Sequence, residues 1–142
     1  MCYSDLRGFG PWRASNYYLE LPAYADAANE RIAIIPQIES ALAVENAAAI
    51  AAVPGIDALF IGPADLCGSL GVPVGAIEPS FTAALEKVIA AGKKTGRATG
   101  IDAVSLEKFE LFAKMGFTLF TYGSDFGYLA DGGKAAAEQA KS

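Results

Sequence analysis

The chain has 142 residues, 53% of them hydrophobic and 19% charged, with a formal net charge of −5. Such a balance describes one packed domain rather than a disordered segment, and the acidic excess argues against nucleic acid bound through phosphate neutralisation. No histidine is present, which removes Ser/His/Asp and Cys/His nucleophile systems, His-type zinc sites and any imidazole base.

The N-terminal "MCYSDLRGFGPW" lacks the basic start, apolar middle and small-residue cleavage site of a signal peptide. Next, "YYLELPAYADAANE" reads as a short helical segment with Tyr17, Tyr18, Leu21 and Tyr24 on an apolar face. Short β-branched or aromatic runs then alternate with Ala-rich helical stretches, the pattern of βα units in a parallel sheet. The first strand is expected over Arg31–Ile38 and its helix over Ser40–Ala52. A second strand, Ile56–Ile61, leads through a Gly/Pro-rich loop from Gly62 to Pro79 into a helix over Ser80–Lys94, with Ser80 as N-cap and Lys93 and Lys94 in the last turn. The third unit is a strand over Ala98–Ile101 and a helix capped by Ser105 that runs to Lys114. The fourth is a strand over Phe117–Tyr122 and a helix over Asp125–Ala140.

The most apolar stretch, "ALAVENAAAIAAVPGIDALFIG", is broken by Glu45, Asn46, Pro54 and Asp57, so no membrane span is expected. Cys2 and Cys67 make no CxxC pair, and a cytoplasmic location with reduced thiols is the expectation. No linker divides the chain, and residues 1–142 read as a single domain. Strands apolar on both faces need helices on both sides or closure into a barrel. Four βα units make half of a (βα)8 barrel, which takes roughly 250 residues.

Ligands of parallel α/β sheets bind beyond the carboxyl ends of the strands. Glu39 ends "IIPQIE" and Asp65 lies just past "LFIGPAD", so neighbouring parallel strands would bring two carboxylates to one rim. Their repulsion is relieved most simply by a divalent cation such as Mg2+ or Mn2+. The plainer readings are that Glu39 is a first-turn helix acid and that Asp65 caps its own turn. Asp102 and Asp125 also follow strands and read as caps, Cys67 as a small buried residue, and Trp12 with Tyr17, Tyr18 and Tyr24 as packing or interface aromatics. Gln37 by itself carries little weight.

"IIPQIES", followed 26 residues after Glu39 by Asp65 in "DALFIGPADLCGSLG", resembles the metal-binding signature of the HpcH/HpaI aldolases. "RGFG", Arg7 to Gly10, resembles the Arg-Gly-x-Gly loop of that family, "GRATGI" its seventh strand, and "GFTLFTYGSDFGYLA" its eighth strand with the turn into the last helix. The resemblance covers nearly all of the chain but only the C-terminal half of the family's TIM barrel. It implies that Glu39 and Asp65 ligate a divalent cation, Mg2+ or Mn2+ with Co2+ or Zn2+ as alternatives. It further implies that Gln37 lies beside a bound 2-oxo acid such as pyruvate, and that the backbone of Gly62, Pro63 and Ala64 receives the substrate carboxylate. The implied activity is cleavage of 4-hydroxy-2-oxo acids to pyruvate and an aldehyde through a metal-stabilised enolate. The family's acid/base histidine and an arginine that polarises the keto oxygen belong to the first half of the barrel, so this chain alone is expected to be impaired. The macrophomate-synthase-like enzymes share the scaffold and signature, which leaves the substrate open. Two further readings stand beside the enzyme: a non-catalytic homologue that binds metal or oxo acid, and a structural module that recruits copies of itself. Each of the three expects a homo-oligomer, because a half-barrel would otherwise expose unpaired strand edges.

Overall fold

The structure, a computed structural model, describes residues 10–141, and these divide into two compact units, residues 10–33 and 34–141. In the first unit, helix α1 spans Leu21–Arg31 with a proline in its first turn, where the helix has spare N–H groups. Before it, Ser15 donates from Oγ to the Pro11 carbonyl at 2.7 Å and accepts from the Tyr18 N–H at 3.1 Å. This turn holds Asn16, Tyr17 and Tyr18 at φ values of 52°, 54° and 70°. Consecutive positive φ angles cannot belong to a right-handed helix. Tyr17 and Tyr18 therefore precede α1 instead of lining it, and the Trp12 ring meets both edge-on. Of the expected Arg-Gly-x-Gly loop, Arg7 to Phe9 lie outside the described residues.

The second unit is the expected α/β arrangement, a four-stranded parallel sheet in the order β1-β2-β3-β4. The strands are β1 Gln37–Ile38, β2 Ala58–Ile61, β3 Ala98–Asp102 and β4 Leu119–Thr121. Between and after them run α2 Ala41–Glu45, α3 Ala47–Ala51, α4 Pro63–Leu70, α5 Pro79–Thr95, α6 Leu106–Met115 and α7 Asp125–Gln139. Ile38, Leu59, Ile61 and Ile101 alternate onto one face, where Val44, Ala47, Leu85, Val88 and Phe112 complete a buried core. The other face carries Gln37, Phe60, Gly100 and Leu119, which share one register level across the four strands.

Several expected boundaries shift, each for a local reason. The first strand does not begin at Arg31, because Arg31 closes α1 and Pro36 has no N–H to donate to a ladder. The Ile34 and Pro36 carbonyls still accept from the Asp57 and Phe60 N–H groups at 3.0 Å. The helix expected over Ser40–Ala52 breaks at Asn46, whose φ and ψ of −92° and 2° leave the helix and whose Nδ2 donates to the Leu42 carbonyl. Ser40 does cap α2, accepting from the Ala43 N–H at 3.2 Å. Ser80 does not cap α5, since Pro79 already opens that helix and Glu78 is its N-cap. Ser105 and Ser124 cap α6 and α7 through bonds of 3.2 and 3.1 Å.

The largest difference is α4, which occupies half of the expected Gly62–Pro79 loop. Its end signals are present in the sequence: Pro63 at the start, Asp65 in the first turn, and Gly71 at φ 70° past the end. The Val72 and Gly71 N–H groups return to the Cys67 and Gly68 carbonyls at 3.0 and 3.2 Å, closing the helix in a Schellman motif. Leu66 and Cys67 enter the core, as expected for Cys67. Among the described residues no helix is long and apolar enough to cross a membrane.

Leu66 is fully buried whereas Leu42 is 72% exposed. Leu66→Ala is therefore expected to lower unfolding free energy by about 2 to 5 kcal/mol, and Leu42→Ala by no more than about 0.5 kcal/mol. Urea denaturation of both variants checks the difference.

Candidate functional site

Ile38, Ile61 and Ile101 are neighbours in register, and Asp102 pairs with Thr121. One residue further along each strand therefore lies a row of Glu39, Gly62, Asp102 and Thr121 across the carboxyl ends. Side chains alternate faces along a strand, so this row points to the face of Gln37, Phe60 and Gly100, away from the helix-covered core.

Glu39 is half-buried and sits one residue before the N-cap of α2, whose first turn holds no acid. The first-turn reading of Glu39 is thereby overturned. Its carboxylate lies over Gly62 instead: a Cβ on Gly62 would stand 2.7 Å from Glu39 Oε2, 3.1 Å from Glu39 Cβ and 3.6 Å from Gln37 Nε2. Gln37 and Glu39 thus converge on the one position in the row that has no side chain. Gly62, at φ −91°, needs glycine for this close approach and not for its backbone angle.

Asp65 is the third residue of α4 and is exposed. The first turn of a helix favours an acid, but the cap expected of Asp65 has no hydrogen bond to carry it, and neither Asp65 nor Glu39 has an ion-pair or hydrogen-bond partner among the described residues. Pro63 has no N–H, so the Ala64 and Asp65 amides are the first unpaired donors at the start of α4. One turn beyond Asp65, Ser69 Oγ accepts from the Ala41 N–H at 2.9 Å, which ties α4 to the start of α2, two residues past Glu39.

Asp125 opens α7 behind its N-cap, Ser124, and accepts from the Phe126 N–H at 2.8 Å. Asp102 is not a cap. Ser105 caps the following helix, and Asp102 Oδ1 instead accepts from Thr121 Oγ1 at 2.6 Å. Asp102 also lines a cavity of about 170 Å³ with Pro63, Ala64, Cys67, Val104 and Lys108. The contacts of Ser69 and Thr121 escape sequence reasoning, because their partners lie 28 and 19 residues away. No group of three or more Cys, Asp or Glu that could hold a metal ion occurs among the described residues, so a cation here would meet at most two protein carboxylates.

Parallel βα units with polar side chains gathered past the carboxyl ends of their strands follow the layout of (βα)8 barrels, whose ligands bind at that end. Residues 3–131 match the model of the HpcH/HpaI aldolase/citrate lyase family, and the chain belongs to that family. It is 34% identical over 136 residues to 5-keto-4-deoxy-D-glucarate aldolase of Escherichia fergusonii, covering 96% of this chain and 53% of that protein. Among solved structures, it is similar to an HpcH/HpaI aldolase/citrate lyase family protein from Burkholderia cenocepacia J2315, with TM-score 0.78, 37% identity and coverage of 96% and 53%. Macrophomate synthase follows the same backbone with TM-score 0.67, 28% identity and coverage of 95% and 50%. The chain spans about half the length of the curated relatives it matches, in keeping with the C-terminal half of the barrel.

Gly62→Ala is expected to push the Glu39 carboxylate from its place while leaving the core intact. A crystal structure of the variant or the carboxyl NMR resonance of Glu39 would register the shift, and an unmoved Glu39 would mean that Gln37 and Glu39 have slack at this position.

Proposed function

We propose that this chain supplies the metal- and oxo-acid-binding half of a carbon–carbon lyase site acting on 4-hydroxy-2-oxo acids. The observation that carries the reading is the convergence of Gln37 and the unpartnered Glu39 on Gly62, with Asp65 three residues further on at the start of α4. The two carboxylates fit a hard divalent cation such as Mg2+ or Mn2+, with Co2+ or Zn2+ as alternatives, because oxygen donors without competing hydrogen bonds are what such ions require. Glu39 and Asp65 would hold it, and when bound it would stabilise the oxyanion that develops as pyruvate becomes its enolate.

The chain's own groups have separate tasks. The Ala64 N–H, unpaired at a helix start, receives the substrate carboxylate. Gly62 and Pro63 keep side-chain bulk and mobility away from that backbone. The Gln37 side-chain amide lies beside the oxo acid and orients it. Ser69 keeps α4 and the start of α2 at a fixed separation, so that Asp65 does not drift from Glu39. Cleavage also needs a group that takes the proton from the 4-hydroxyl, and this chain has no histidine for that task. Self-association belongs to the same reading: α7 has no buried residue, and Phe126, Tyr128 and Leu129 on it are exposed. The aldolase name of the Escherichia fergusonii relative supports the reaction class.

Titration with Mn2+, followed by electron paramagnetic resonance, tests the metal reading. Glu39→Ala and Asp65→Ala are each expected to weaken binding by at least about tenfold, since even groups that only support a ligand cost that much when removed. Equal affinity in all three proteins would sink the metal site. A coupled assay for pyruvate release from a 4-hydroxy-2-oxo acid tests the chemistry. Little or no turnover is expected from the 142-residue chain by itself, and a robust metal-dependent rate would mean that its own residues suffice for proton transfer.

A further inference from the structure

Asp102 is left without a role by the metal and oxo-acid reading, yet it stands in the same row as Glu39. Gly62 lies between them in register, so the two backbones are two strand spacings apart, roughly 10 Å. Gly62, between them, yields its side-chain space to Glu39, and just past it Pro63, Ala64 and Asp102 line one cavity of about 170 Å³. A second hollow, of about 450 Å³, begins at Asp102 and continues past Tyr122, Ser124 and Tyr128. Asp102 is half-buried where the two meet.

We infer that Asp102, oriented by Thr121, is a specificity-determining residue that accepts hydrogen bonds from hydroxyl groups on the distal carbons of the substrate. Thr121 Oγ1 donates to Asp102 Oδ1 at 2.6 Å, which fixes the carboxylate and leaves Oδ2 as a free acceptor. A carboxylate has only lone pairs to offer, so the ligand group must be a donor. Lys108 lines the same cavity, its ammonium held by the Gly75 carbonyl at 3.2 Å, and that charge disfavours an ammonium ligand and leaves a hydroxyl. The Thr121 oxygen, having given its proton to Asp102, keeps lone pairs for a second hydroxyl, so a pair of adjacent hydroxyls suits the site best. This inference rests on the oxo-acid reading above: with the substrate carboxylate at the Ala64 amide, the remaining carbons of the acid run through the shared cavity toward Asp102.

The test compares two five-carbon ligands, 4,5-dihydroxy-2-oxopentanoate and 2-oxopentanoate, titrated calorimetrically into the Mn2+-loaded chain. The native chain is expected to prefer the dihydroxy acid by about tenfold or more, the range for hydrogen bonds to a charged group. The ratio should fall close to one in Asp102→Ala and part of the way in Thr121→Val, which keeps the carboxylate and removes only its orienting donor. Thermal melts of both variants report whether folding is retained, and Thr121→Val decides the matter if Asp102→Ala does not fold. A native ratio near one, or a ratio unchanged in a folded variant, overturns the role of Asp102 and leaves the oxo-acid site standing. Failure of the native chain to bind either acid overturns the oxo-acid reading and the role of Asp102 with it.

Discussion

The alignment of Ile38, Ile61 and Ile101 in one parallel register is the constraint on which the site depends. All three are fully buried on the helix-covered face. A slip of one residue in any strand would turn its isoleucine outward and carry a carboxylate or a glycine into the core. The core thus polices the rim: the cost of misplacing an isoleucine is what places Glu39, Gly62 and Asp102 side by side on the opposite face. β1 is only two residues long, and its register gains support from the Ile34 N–H, which donates to Asp57 Oδ2 at 2.7 Å.

Gly62 is the pivot of this arrangement, because three demands meet there. It continues β2, it is the N-cap of α4, and it yields its side-chain volume to Gln37 and Glu39. Any other residue could satisfy the first demand, and several the second, but the third admits only glycine. Pro63 next to it removes one amide donor and stiffens the turn, so the Ala64 amide is the first free donor a ligand would meet. Leu66 and Cys67 anchor the far side of the same helix in the core. The start of α4 is therefore anchored through the core while, among the described residues, the Asp65 carboxylate has no partner.

The two faces of the sheet differ in character. On one face, aliphatic side chains from strands and helices close a continuous core. On the other, Phe60 lies across Gly100, where a Cβ would stand 2.6 Å from its ring, and Gln37 is exposed. Membership of a barrel family gives this asymmetry a meaning, since the inner side of a barrel sheet carries the catalytic rim at its carboxyl end. The Thr121 to Asp102 bond joins β4 to β3 through side chains where the ladder ends.

Much of the architecture was legible from local pattern. Alternating β-branched and Ala-rich runs mark four βα units, and the Ser105 cap follows because a serine hydroxyl can reach a backbone N–H three residues on, whereas the same rule misplaces a cap at Ser80. Helix α4 was legible too, through Pro63 and Gly71, but eight residues hold too little hydrophobic periodicity to outweigh a run that reads as loop. Glu39 and Asp65 stand out by type and position, and the family motif around them is written in the chain itself. Their setting is not. That Glu39 turns over Gly62 and away from α2, that Ser69 ties α4 to the start of α2, and that Asp102 serves Thr121 and no helix, all depend on residues 19 to 28 positions apart. The sequence by itself determined the repeating units and the residue types at their ends, because strand period, helix caps and turns are short-range effects. Which of those ends face one another was decided only by tertiary structure, because strand register is set by burial of the whole isoleucine layer at once.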